Sequence, residues 1–416
     1  ACLDSVTGMT DELKRLIREF ETELAIIKGR VDGLEARVGE LEATQFSTTT
    51  KLKGQADFFM GGVSYDDRGD CVEEGGACED DAFSFSYRYT LNLNTSFTGK
   101  DLLYTRIRTG NMNNAFGANK NTFLSDSKSS DQVLKIDKLW YTFPMGEEFK
   151  VTVGALVENY YMVETPTRYK PILKALKLGG YGALMGASTG QGVGVQWRQD
   201  VAPGEAAFNI AANYVADGGE GAKSSNGLGM FGDDTDGLFL SQVGYGNRKW
   251  YVSGLYAYKH GSDGSSPAMG YSTPAASSYD EGLHAFGARG YWTPAESGFI
   301  PTISGGLDFG YSDADNAGST EEIFGWMVGL NWTDAFMEGN KLGLGFGSYS
   351  SYATEVKGGS DDSDDVPFAI EGWYDFQVTD NITVTPAVFY ITNADGDAQV
   401  DGADSLGALV KTTFKF

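Results

Sequence analysis

Apolar and polar side chains alternate along most of the chain between residues 51 and 416, and this period of two is that of a β-strand. The clearest stretch runs from Phe83 to Asn94, where every odd-numbered residue is aromatic or leucine and every even-numbered residue is polar. A strand with this pattern has one apolar face and one polar face. So many apolar faces need an apolar partner, which is either a second sheet or lipid.

The composition narrows the choice of fold and partner. The 416 residues include 56 Gly, 22 Tyr and 25 Phe, a mixture that is unlike the Leu/Ala/Glu-rich composition of helical enzymes. The sequence contains no run of about 18 apolar residues, so it predicts no membrane-spanning helix. A membrane-spanning β-barrel, however, needs only about ten alternating residues per crossing. The net charge of −25 argues against nucleic acid as a partner.

Alternation and turn-forming residues predict sixteen strands, and an even number is what a closed antiparallel bacterial barrel requires. The predicted strands are 51–65, 82–97, 101–110, 132–143, 147–157, 192–199, 205–216, 237–246, 248–260, 282–293, 299–311, 322–333, 340–351, 366–377, 380–391 and 404–416.

The connections between these strands alternate in length. Short turns such as Thr98-Gly99-Lys100 and Pro203-Gly204 alternate with long loops, which is typical of an outer-membrane barrel and not of a soluble sandwich. Trp250 and Trp326 lie on predicted outward faces that suit lipid. We therefore predict an all-β fold, in which residues 46–416 form a sixteen-stranded transmembrane β-barrel around a water-filled lumen.

Two glycine-rich stretches superficially resemble nucleotide-binding motifs. They are 190–194 and 343–347, and each has glycine at every second position of a predicted strand. Since no helix follows either stretch, neither is a phosphate-binding loop. We expect these glycines to leave room on the lumen face of the barrel.

The first 45 residues form a separate predicted module, because their apolar residues repeat in heptads. In a parallel coil Glu23 would face Lys28 and Arg30 would face Glu35, so each pair is opposite in sign. This predicts a parallel coiled-coil stalk, for which we favour three strands, although a single amphipathic helix packed on the barrel is the alternative. The predicted coil core consists of Ile17, Phe20, Leu24, Ile27, Val31, Leu34, Val38 and Leu41.

The longest connection, 158–191, is the third long loop and carries a group of basic residues. In sixteen-stranded porins the third long loop folds inward and narrows the channel. We expect Arg168, Lys170, Lys174 and Lys177 to line the constriction with Glu158 and Glu164, and Arg88, Arg106, Arg108 and Arg198 to face the lumen from nearby strands. These bases would favour anions. The alternative is that they simply pair with Glu158, Glu164 or lumen carboxylates.

Other candidate sites lie in the acidic outer loops. Cys71 and Cys78 are close enough to form a disulfide in an oxidising compartment, and a metal site is the rival interpretation. The carboxylates Asp361, Asp362, Asp364 and Asp365 form a solvated surface or capture a divalent cation weakly. With only two histidines and no catalytic spacing, the sequence predicts neither an enzyme nor a cofactor.

The junction 45–52 (Gln-Phe-Ser-Thr-Thr-Thr-Lys-Leu) and the turn 97–103 (Phe-Thr-Gly-Lys-Asp-Leu-Leu) resemble those of cyanobacterial OprB-type porins that carry a surface-layer-homology (SLH) domain. Residues 1–6 resemble the end of that domain, most of which lies outside this chain. The resemblance implies a homotrimeric outer-membrane channel for small solutes and inorganic ions, including iron, with sugar transport implied by the family name. It also implies a periplasmic stalk whose missing domain binds a peptidoglycan-linked polymer. A mainly structural tether between outer membrane and cell wall, with a barrel of low permeability, is the alternative function.

Overall fold

The computed structural model divides the chain into two compact units, Ala1–Leu52 and Lys53–Phe416. The residues that the structure describes are 13, 15–16, 20, 23–24, 26–35, 49–65, 83–112, 124–130, 132–165, 167–179, 189–216, 219–225, 227–260, 282–296, 298–312, 319–348, 351–358, 366–392 and 404–416.

The described residues between Leu13 and Glu35 are helical, as the heptad pattern predicts. Predicted core positions are exposed along this helix: Leu24 is 67% exposed and Leu34 is 60% exposed. Ile17, Val38 and Leu41 lie outside the described residues. The helix is thus confirmed where it is described, and its self-association stays a prediction. No helix in the described part of the chain is both long and apolar enough to cross a bilayer.

The second unit consists of strands joined by turns and loops, with short 3₁₀ helices at Asn159–Met162, Lys174–Gly179 and Glu220–Ala222. The strands are β1 (Thr50–Tyr65), β2 (Ser84–Thr95), β3 (Leu102–Gly110), β4 (Lys135–Met145), β5 (Phe149–Val157), β6 (Gly190–Arg198), β7 (Ala207–Ala216), β8 (Gly237–Gly246), β9 (Trp250–His260), β10 (Gly282–Trp292), β11 (Thr302–Ser312), β12 (Thr320–Thr333), β13 (Lys341–Ser348), β14 (Tyr352–Val356), β15 (Phe368–Thr379), β16 (Ile382–Thr392) and β17 (Ser405–Lys415).

The sheet closes on itself, because β1 pairs with both β2 and β17. Both β13 and β14 pair with β12, and β13 also pairs with β15, so these two short strands are parts of one crossing. The seventeen strands therefore make sixteen antiparallel crossings, and the predicted closed barrel is confirmed. Closure satisfies the backbone groups that an open sheet would leave unpaired in lipid.

The two faces of the strands differ as the alternation predicts. On β1, Phe58 and Met60 are exposed, whereas the intervening Phe59 and the preceding Asp57 are buried inside the barrel. Phe58 packs on the outer surface against Phe85 of β2, with ring centroids 6.0 Å apart. The exterior is therefore apolar and suited to acyl chains, while polar groups are turned inward.

A hydrogen-bonded turn joins β2 to β3, at one of the predicted short connections. The Asp101 carboxylate accepts hydrogen bonds from the Thr98 backbone N–H at 2.8 Å, the Ser96 hydroxyl at 2.7 Å and the Tyr141 hydroxyl at 2.8 Å. Gly99 has a φ of +80°, which is available to glycine at little steric cost. The residue types of this turn thus account for its short length.

Candidate functional site

The connection after β5, which is the third long loop of the sequence, is hydrogen-bonded to buried side chains of the barrel wall. We call its described part, residues 158–165 and 167–179, the inner loop. The Asn159 side-chain amide donates to Asn213 Oδ1 of β7 at 2.7 Å and to the Leu238 carbonyl of β8 at 3.0 Å. Further along, Gln242 of β8 accepts from the Glu164 backbone N–H at 2.9 Å and donates to the Glu164 carbonyl at 3.1 Å.

The inner loop continues along the wall to strands on the other side of the sheet. Ser304 Oγ of β11 accepts from the backbone N–H of Tyr169 at 3.2 Å. Glu371 of β15, which is 1% exposed, then accepts from the Tyr169 hydroxyl at 2.7 Å and from the backbone N–H groups of Ile172 and Leu173 at 2.9 and 2.6 Å. The loop is thus attached to the barrel wall at β7, β8, β11 and β15.

Glycines on the wall make space for the inner loop. A Cβ atom at Gly329 would lie 2.2 Å from the Tyr169 ring, and one at Gly345 would lie 2.5 Å from its hydroxyl oxygen. A Cβ at Gly194 would lie 2.7 Å from the sulfur of Met162. The prediction that strand glycines of 190–194 and 343–347 leave room on the lumen face is confirmed for Gly194 and Gly345, and the space is occupied by the loop.

An apolar cluster fills part of the interior, which departs from the expected water-filled lumen. Side chains of the inner loop meet inward-facing apolar residues of β1, β12 and β15–β17, because both surfaces would otherwise be exposed to water. The cluster includes Phe59, Tyr169, Leu173, Leu176, Met327, Trp373, Phe389 and Leu409. Alternation alone does not predict it, since a loop residue has no assigned face.

A second loop segment, residues 124–130, also enters the barrel, and the sequence analysis did not predict this. The Ser125 backbone N–H donates to the Ile172 carbonyl at 2.6 Å, and Leu124 forms an isolated β-bridge with Leu173. Lys177 Nζ donates to the Ser125 carbonyl at 3.1 Å. The interior is therefore narrowed by two loops that are bonded to each other.

The predicted constriction residues separate into two groups. Lys174 and Lys177 lie near each other and near Glu158, which pairs with Lys138 at 2.5 Å. Arg168 instead donates to the Tyr291 hydroxyl at 2.9 Å, with its guanidinium carbon 4.4 Å from that ring's centroid.

The remaining predicted constriction residues, Glu164 and Lys170, have different surroundings. Glu164 pairs with Arg198 at 3.2 Å, and Lys170 is exposed. Of the predicted constriction bases, Lys174 and Lys177 are therefore the two that the structure brings together.

The other predicted lumen arginines form ion pairs, as the alternative interpretation holds. Arg88 pairs with Asp57 at 2.6 Å and with Asp126 at 2.9 Å, and Asp126 also pairs with Lys411 at 3.0 Å. We name the six paired bases on this side the cationic wall: Arg88, Arg106, Arg108, Lys128, Lys138 and Lys411.

The ion pairs of the cationic wall contain more bases than carboxylates. Asp137 alone is shared by Arg106 at 2.8 Å, Arg108 at 2.7 Å and Lys128 at 3.7 Å. In total the six bases pair with four carboxylates, those of Asp57, Asp126, Asp137 and Glu158. Among the described residues, these ion pairs therefore contain two more bases than carboxylates.

The environment of the loop groups perturbs their titration. Burial, followed by the neighbouring charge of Lys177, lowers the pKa of Lys174 to about 6. Burial lowers the pKa of Lys177 to about 8, against the attraction of Asp126. Burial alone would raise the pKa of Asp126, but the charges of Arg88 and Lys411 hold it well below its usual range. Asp126 is therefore ionised, whereas the charge of the loop lysines depends on pH.

Aromatic residues face the interior beside the cationic wall, and the sequence analysis did not single them out. The rings of Tyr104 and Trp140 are 4.3 Å apart, and those of Trp140 and Tyr161 are 4.5 Å apart. Arg106 Nη1 donates to the Tyr161 hydroxyl at 3.2 Å, and the Tyr104 hydroxyl donates to Asn92 Oδ1 at 2.6 Å. The signal available in the sequence was their alternation with inward-facing arginines.

Several predicted sites lie outside the described residues. These are Cys71, Cys78, Asp361, Asp362, Asp364 and Asp365. Among the residues that are described, no group of three or more His, Cys, Asp or Glu side chains has the arrangement of a metal site.

Comparison with known families and sequences gives a consistent result. A family described as "Carbohydrate-selective porin, OprB family" matches residues 10–416. The uncharacterized protein alr4550 of Nostoc sp. is 31% identical over 467 residues, covering 100% of this chain and 76% of that protein. The uncharacterized protein sll0772 of Synechocystis sp. is 28% identical over 440 residues, covering 98% of this chain and 77% of that protein.

Solved porin structures share the fold. Pseudomonas putida OprB at high pH superimposes with a TM-score of 0.58 at 14% identity, over 88% of this chain and 94% of that chain. An anion-selective porin from Comamonas acidovorans gives a TM-score of 0.53 at 12% identity, over 88% of this chain and 99% of that chain. At these identities the likeness is one of fold.

Proposed function

This chain belongs to the OprB family of carbohydrate-selective porins, and we propose that it forms a passive diffusion channel for small hydrophilic solutes and inorganic ions. It is a β-barrel of the outer membrane, and as a porin it is a channel rather than an enzyme. We place the permeation path between the inner loop and the cationic wall. Lys174 and Lys177 would face solutes from one side, and Arg106 and Arg108 from the other.

The observation that carries this proposal is the position of the inner loop. It is bonded to strands from β7 to β15, and its lysines lie near Arg108. The same loop is joined to the cationic wall by the Glu158–Lys138 ion pair and by the hydrogen bond from Arg106 to the Tyr161 hydroxyl, so the path that we propose between loop and wall is narrow. Porins use this arrangement to limit the size of permeating solutes.

The excess of positive charge predicts the ion preference. A narrow passage lined by more cations than carboxylates attracts anions and repels cations. Bare iron ions would therefore pass poorly, and iron would pass as an anionic chelate. The half-buried Tyr104 and Tyr161 add an aromatic surface on which the C–H face of a sugar could stack.

Recordings across planar lipid bilayers test this function. We expect discrete conductance steps from the purified chain, with a reversal potential in a salt gradient that indicates anion preference. Conductance with cation preference would contradict the charge argument while leaving the channel intact. A complete lack of conductance would favour a structural tether instead.

We also propose that the N-terminal helix forms a parallel, three-stranded stalk in the periplasm and leads to a cell-wall anchor. The exposed apolar positions of the described helix support this, because an isolated helix would leave them in water. Chemical crosslinking of the detergent-solubilised chain tests it. Trimers that are lost when residues 1–45 are deleted would support the stalk, whereas trimers that persist unchanged would place the contacts in the barrel.

A further inference from the structure

The aromatic surface and the surplus of positive charge lie on the same part of the wall. Tyr104 and Arg106 are both on β3, and Trp140 is paired with Tyr104 across β3 and β4. The hydrogen bond from Arg106 to the Tyr161 hydroxyl joins the charged group to the aromatic one. A solute that contacts the rings at this point is therefore also within reach of the cations.

The ion pairs at this point contain more bases than carboxylates. Among the described residues, Arg106, Arg108 and Lys128 pair with the single carboxylate of Asp137. Arg108 Nε is buried and has no hydrogen-bond partner among the described residues. A buried donor of this kind is satisfied when an anionic ligand or water supplies an acceptor.

We propose that this part of the channel is a binding site for acidic carbohydrates, that is, small sugars that carry a carboxylate or a phosphate group. The sugar ring stacks on Tyr104 and Tyr161, and the anionic group is held by Arg108 and Lys128. The inference rests on the proposed channel function, and it narrows the solute class from carbohydrates in general to anionic ones.

Both halves of the site are needed for this selectivity. A neutral sugar can use the aromatic surface but cannot balance the excess charge. Inorganic phosphate can balance the charge but gains nothing from the rings. An acidic sugar does both, and guanidinium groups are well suited to carboxylate and phosphate.

The experiment measures block of the ion current in planar bilayers by four probes: glucuronate, glucose 6-phosphate, glucose and inorganic phosphate. We expect half-blocking concentrations of the two acidic sugars to be about tenfold lower than those of glucose or inorganic phosphate. If glucose blocks the current as strongly as glucuronate does, the inference is overturned. It is also overturned if inorganic phosphate blocks as strongly as glucuronate.

Three variants divide the site into its parts. Arg108→Gln should weaken block by glucuronate and by phosphate, while Asp137 keeps Arg106 and Lys128 as partners. Tyr161→Leu should weaken block by the three sugars but not by inorganic phosphate, and Tyr161→Phe, which keeps the ring, should retain most of the block by sugars. Tyr245→Leu, a change on the outer face, is the matched control. If glucuronate blocks the Tyr161→Leu channel as strongly as the original channel, the proposed aromatic contact is contradicted.

Failure of the channel and failure of the site are distinguishable. If the protein does not conduct, the proposed function fails, and calorimetric titration of the detergent-solubilised chain with glucuronate tests the site directly. If the titration of the original protein then gives no heat of binding, the inference is overturned as well. A conducting, anion-preferring channel without preferential block by acidic sugars overturns the inference alone.

Discussion

The Tyr169 hydroxyl donates a 2.7 Å hydrogen bond to the Glu371 carboxylate, although 202 residues separate the two in the chain. The same carboxylate accepts from the backbone N–H groups of Ile172 and Leu173. One wall residue therefore holds three consecutive contacts of the inner loop. We therefore expect the position of the loop, and with it the width of the proposed passage, to depend on this carboxylate.

Replacing Glu371 with glutamine should loosen the inner loop. The side-chain amide has one acceptor oxygen instead of two, so the Leu173 N–H would face an NH₂ group, and an unsatisfied buried donor costs about 1–3 kcal/mol. We expect higher current noise and passage of larger solutes in single-channel recordings. Thr142→Val is the control, because that hydroxyl bonds to Thr152 and not to the loop. If the current noise and the size limit for permeating solutes equal those of the original chain, Glu371 does not hold the loop.

Adding one methyl group at Gly329 should displace the inner loop. The new Cβ would lie 2.2 Å from the Tyr169 ring, and overpacking of this kind costs about 1–3 kcal/mol. We expect Gly329→Ala to lower the temperature of barrel unfolding, followed as the heat-induced shift of the band on an electrophoresis gel.

Two further variants isolate the cause of that effect. Gly254→Ala is the matched control, since nothing lies within 4 Å of a Cβ there. Adding Tyr169→Ala to Gly329→Ala should relieve the overlap and reduce the cost of the alanine. An unchanged unfolding temperature in Gly329→Ala would mean that the ring is free to move away from the wall.

Anion preference should rise as the pH falls. Lys174 and Lys177 have pKa values of about 6 and about 8, so each is neutral above that pH and positively charged below it. Between about pH 9 and pH 5 the loop gains two positive charges, and the anion-to-cation permeability ratio should increase by about two- to fivefold. Reversal potentials measured across this range provide the test.

The Lys174→Gln variant isolates one step of that titration. It should remove the rise near pH 6 and keep the rise near pH 8, because Lys177 still titrates. Lys170→Gln is the control, since Lys170 is exposed and lies on another part of the loop. A permeability ratio that stays constant over the whole range would exclude both lysines from the passage.

The N-terminal stalk should depend on its apolar positions. Ile27 is 57% exposed in the single chain, and burial of such a side chain in a trimer contributes about 2 kcal/mol. We therefore expect Ile27→Asp to lower the temperature at which the trimer dissociates, as measured by light scattering in detergent. Asp32→Ala, a change on the polar part of the same helix, should have little effect. Equal dissociation temperatures would argue against a coiled coil.

The barrel could be predicted from the sequence because its signal is local. The alternation around Phe58 and Phe59 assigns each residue to a face without knowledge of any partner. The predicted strands agree with the observed ones to within about three residues at most ends. The exception is the short strand β14, which lies in the predicted loop 352–365 directly after the predicted strand 340–351. Helix formation between Leu13 and Glu35 was predictable for the same reason.

The contents of the barrel could not be predicted in this way. Leu173 and Tyr169 have no alternation to assign them a face, so their apolar contacts with the wall appear only in the folded chain. The ion pairs were equally inaccessible: Asp126 pairs with Lys411 across 285 residues. That pair exists because β17 returns to close the barrel beside β1.

Sequence alone therefore determined the number of crossings, the lipid-facing surface and the N-terminal helix, since each follows from periodicity over a few residues. Tertiary structure decided which bases share a carboxylate, where the inner loop is attached and which rings lie beside the excess charge. The physical reason is that charge balance and packing depend on distances in space, and barrel closure brings together residues whose separation along the chain carries no information about those distances.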